Sequence, residues 1–167
     1  MHLLLFYGHI NTTLKQRRNR GMSIMNEDTI FLLRELNAGC KSATNSMEQV
    51  KPYITNEKLM SIINEYNDKH IKIGDECHQM LNESNEGEKD PQVTAKAFSW
   101  ISTEMKLMIK NDAHKIADIM IDGCNMGIKS LSKYINKYKA ASDESVNLAK
   151  KLVKMEQEFM NEMLEFM

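Results

Sequence analysis

At 167 residues the chain fits a single domain that can bury a real core. A net charge of −1 gives no electrostatic case for nucleic acid, and two prolines, seven glycines and 7% aromatic residues describe a helical composition. Three cysteines, an odd number without an export signal, argue for reduced thiols, and fourteen methionines read as flexible core filler before they read as a metal-binding box.

The charge is unevenly spread. Residues 1–26 contain no acid but carry Lys15, Arg17, Arg18 and Arg20, leaving 18 basic against 23 acidic residues in the remainder. The run Leu3 to Tyr7 is too short to cross a membrane, and the basic residues follow it where a signal peptide would place them before. Met25-Asn26-Glu27-Asp28 reads as a start followed by a helix cap. Residues 1–24 are therefore expected to be a disordered basic leader or the product of a misassigned start, with a short membrane-surface or nucleic-acid arm as the functional alternative. No transmembrane segment follows, so a cytoplasmic location with no membrane or nucleic-acid partner is expected.

The first helix is predicted from Glu27 to about Lys51, with Asn26 as cap and Pro52 as terminator. Its seam of Leu33, Leu36, Cys40, Ala43, Met47 and Val50 steps by three and four. A second helix, capped by Thr55, should run to about Asn82 with Leu59, Ile62, Tyr66, His70, Ile73, Cys77 and Met80 inward. The acidic stretch from Asn82 to Asp90 reads as a solvated loop. Asp90-Pro91 then restarts a shorter helix to about Lys110, bearing Ala97 or Phe98, Ile101, Met105 and Met108 beside Trp100.

After a break at Asn111-Asp112, a helix from Ala113 to about Lys139 carries Ala117, Met120, Cys124, Leu131 and Tyr138. Ser142 caps the last, whose apolar face is Leu148, Leu152, Met155, Phe159, Met163 and Phe166. The apolar end from Phe159 to Met167 could dock a second subunit, which makes a homodimer or another protein partner an expectation. Two hairpins with a longer connection define an all-α four-helix bundle with an extra helix between the hairpins. The stretch around Gly39-Cys40 recurs around Gly123-Cys124, 84 residues later, so the bundle reads as a duplicated helical hairpin.

The run from Thr29 to Cys40, together with Ile116 to Leu131, resembles a group of uncharacterised ferritin-like bundle proteins of low-GC Gram-positive bacteria. The likeness spans about Met25 to Met167 and is most specific over Asp122 to Leu131. It implies a ferritin-like four-helix bundle, a fold that hosts many activities. Members of the wider superfamily often hold two metal ions, through a glutamate from each of two helices and a Glu-x-x-His motif from each of the others. This chain departs from that pattern. Cys40 and Cys124 stand where glutamates would be expected, Glu65 and His70 are five apart and on different faces, and the last helix has Glu156, Glu158, Glu162 and Glu165 but no histidine. Ferroxidase or peroxidase chemistry is not carried over.

Cys40, His70, Cys77 and Cys124 all fall on inward seams, so they form the candidate set for iron, zinc or copper, or for thiol redox chemistry. Against this stand buried thiols acting as small hydrophobes and a histidine bonded to a neighbouring backbone or side chain. Gly39, Gly123 and Gly127 read as close helix approaches or as room for a ring such as Tyr66 or Tyr134. The run Glu156-Gln157-Glu158 reads as a solvated face. No nucleophile elbow, phosphate loop or dinucleotide motif is present. The expectation is a cofactor-free, non-catalytic bundle with a structural or protein-interaction role, and the alternative is a metal or thiol-redox protein.

Overall fold

The alternating steps of three and four fold as four α-helices in the computed structural model, which describes residues 25–87 and 112–167. They are α1 (Glu27–Val50), α2 (Glu57–Glu83), α3 (Ala113–Lys137) and α4 (Asp143–Met163). Each start is fixed by a side-chain oxygen that accepts one of the N–H groups left over in a first turn. Asn26 accepts from Thr29 at 2.8 Å, Asn56 from Leu59 at 3.0 Å, Asp112 from Lys115 at 2.9 Å and Ser142 from Ser145 at 3.3 Å. Asn56 therefore replaces Thr55 as the cap of α2. Asparagine is the stronger cap of the two adjacent candidates. Pro52 sits in a 3-10 turn, Lys51–Tyr53, directly after α1.

Contacts at the helix ends set the directions. Where α1 begins, Asn26 donates to the Ala140 carbonyl at 2.7 Å, Asp28 accepts from the Ala140 N–H at 2.8 Å, and Thr29 Oγ1 accepts from the Ser142 N–H at 2.8 Å. The start of α1 thus meets the turn between α3 and α4. At the opposite end Lys58, near the start of α2, pairs with Glu165 just beyond α4. The order is up, down, down, up, with hairpin α1–α2 packed on hairpin α3–α4 so that α1 lies beside α3 and α2 beside α4. The chain leaves α2 at one end of the bundle and enters α3 at the other, the connectivity of a bundle with one long crossover. The helix expected over 91–110, with Trp100, and the leader over 1–24 lie outside the described residues.

The core follows the seams closely. Leu33, Leu36, Cys40, Met47 and Val50 of α1 are buried, as are Leu59, Tyr66, Ile73 and Cys77 of α2. Met80 is only half-buried, because Leu81 takes the innermost position in that turn of α2. Tyr66 stacks on Phe159 of α4 with ring centroids 4.5 Å apart, while its hydroxyl donates to Glu162 at 2.7 Å. Phe159 and Met163 are buried within the bundle, and Leu164 and Met167 beyond them are exposed.

Gly74 lies in the middle of α2, facing α1. A Cβ there would meet Asn37 Oδ1 and Cys40 Cβ, each at 3.5 Å, which is ordinary contact. Because alanine is the better helix former, Gly74→Ala should raise the unfolding free energy by about 0.5–1 kcal/mol, read as a higher urea midpoint at unchanged slope.

Candidate functional site

The polar centre of the bundle is built from one side chain of each hairpin. His70 occupies an inward position of α2, one turn after Tyr66, and is 1% exposed. Its Nδ1 lies 2.7 Å from the Tyr66 carbonyl oxygen and its Nε2 lies 3.0 Å from Glu156 Oε1 on α4. A carbonyl can only accept, so Nδ1 carries a proton and donates it. The Nε2–Oε1 contact joins α2 to α4 inside the bundle.

Glu156 is 7% exposed, which corrects its reading as part of a solvated face. It stands four residues after Leu152 and three before Phe159, both buried, and that register carries it inward. The flanking Gln157 and Glu158 are exposed, so the charged run hid a buried member. The Cys124 thiol of α3 also hydrogen-bonds to Glu156. Glu156 therefore ties α4 to both α2 and α3.

The three cysteines are free and buried. Burial is the first cause of a raised thiol pKa at each: Cys40 is held well above the usual range, with Cys77 and Glu156 adding to the effect. Burial and the nearby Glu76 push Cys77 up to about 12. Cys124 is raised by burial and then by the charge and hydrogen bond of Glu156. Since the thiolate is the nucleophile and the metal ligand, all three are held in their unreactive form. Among the described residues no group of three or more His, Cys, Asp or Glu side chains is arranged to hold a metal ion. Of the sequence-derived candidates, Cys40 and Cys124 share the neighbourhood of Glu156 with His70, and Cys77 borders Cys40.

Above this centre a cleft opens between α1 and α3, with a volume of about 290 Å³, reaching down to His70, Cys124, Glu156 and Phe159. Its two walls are the repeated stretches themselves: Gly39, Ala43 and Met47 on α1, and Gly123, Gly127 and Leu131 on α3, each pair 84 residues apart. Among the described residues, a Cβ added at Gly39 or Gly123 would find no atom within 4 Å, so the close approach expected there is not seen between α1 and α3 themselves. At Gly127 the close neighbour is not a ring but Glu156 Oε1, which a Cβ would meet at 3.2 Å. Gly127 makes room for the buried carboxyl.

No protein-family model and no curated protein sequence matches the chain. Among solved structures, a DUF305 fragment from Deinococcus radiodurans is similar in fold, with a TM-score of 0.70 at 10% sequence identity, over 84% of this chain and 95% of that one. At that identity the likeness is one of architecture, an all-α four-helix bundle belonging to a domain of unknown function.

The raised thiols make stability depend on alkaline pH. Above the ordinary thiol value of 9.0 the unfolded chain releases a proton that folded Cys77 keeps up to about 12, so the unfolded state binds fewer protons and stability falls as pH rises. That contribution is intact below about pH 8.5 and lost progressively above it, at up to about 1.4 kcal/mol per pH unit for each thiol. Urea midpoints measured from pH 8 to 10 should therefore decline, and Cys77→Ala should flatten the decline while lowering stability at neutral pH.

Proposed function

We propose that the chain is a metal-free helical bundle of the ferritin-like type, working in the cytoplasm in a structural or protein-interaction role and not as an enzyme. The observation that carries this reading is the mutual saturation of the inward donors. Both nitrogens of His70 are spent, one on the Tyr66 carbonyl and one on Glu156. Burial holds the neighbouring thiols protonated. A metal would have to break the His70–Glu156 contact and strip protons from buried sulfurs before it gained a ligand.

The up, down, down, up order supports the ferritin-like assignment, since such folds use one long crossover. The similar DUF305 fragment is a helical domain without a stated activity, and it adds architecture only. The alternative, a metal or thiol-redox protein using Cys40, His70, Cys77 and Cys124, requires at least one of these thiols to ionise near neutrality.

Elemental analysis of untagged protein purified anaerobically decides between them. The proposal expects iron, zinc and copper each well below stoichiometric, and a melting temperature that is the same in oxidant and reductant. A metal near one per chain that is lost in Cys124→Ser, or an oxidant-dependent shift abolished by Cys40→Ala/Cys124→Ala, would overturn it.

A further inference from the structure

We draw no further inference here: the strongest candidate, the apolar-walled cleft between α1 and α3 that reaches down to Glu156, carries none, because nothing among the described residues shows what covers it and the carboxyl at its floor is already engaged by His70.

Discussion

The contact between His70 Nε2 and Glu156 Oε1 joins the two hairpins within the buried part of the bundle. Neither group is tolerable there alone. An ionised carboxylate or an imidazolium loses several kcal/mol of hydration on burial, whereas a pair that also bonds to a backbone carbonyl and a thiol recovers most of it. Removing one partner of such a pair costs about 3–5 kcal/mol, because the other is left buried and unanswered. That asymmetry fixes the register of α2 against α4: a slip of one residue would turn His70 or Glu156 away from its partner while the apolar seams beside them still packed tolerably.

The same contact explains why the duplicated hairpin is not symmetric in its chemistry. α1 and α3 carry the repeat, and their paired glycines and small residues form matching walls. α2 and α4 carry no such repeat at the centre, and they face each other with an imidazole and a carboxyl. Gly127 belongs to both arrangements, because it lines the cleft and clears the space that the Glu156 carboxyl fills. The cysteines sit between the two. Their sulfur atoms supply bulk and one weak donor, and burial removes their reactivity.

Much of the architecture could be read from the chain alone, because the seams repeat at helical spacing over long stretches and the caps Asn26, Asp112 and Ser142 stand directly before them. The inward placement of Cys40, His70, Cys77 and Cys124 came from the same periodicity. Glu156 did not, since a carboxylate flanked by Gln157 and Glu158 resembles a wet surface unless its register with Leu152 and Phe159 is weighed above its charge. The glycines were only partly legible, with the close approach expected at Gly127 found against Glu156. Sequence places a glycine on a face, but whether a neighbour or empty space lies in front of it depends on the spacing between α1 and α3, which no local pattern encodes. The directions of the helices were likewise hidden, and became legible only through the contacts of Asn26, Asp28 and Thr29 with the α3–α4 turn.

The central claim is that His70 is fully engaged, Nδ1–H to a carbonyl and Nε2 to a carboxyl. Long-range proton–nitrogen NMR on imidazole-labelled full-length protein tests it most directly. The account predicts a protonated Nδ1, a hydrogen-bonded Nε2 whose shift changes in Glu156→Gln, and a spectrum unmoved by a chelator. An Nδ1 without a proton, or an Nε2 resonance that moves when metal is removed, would contradict it.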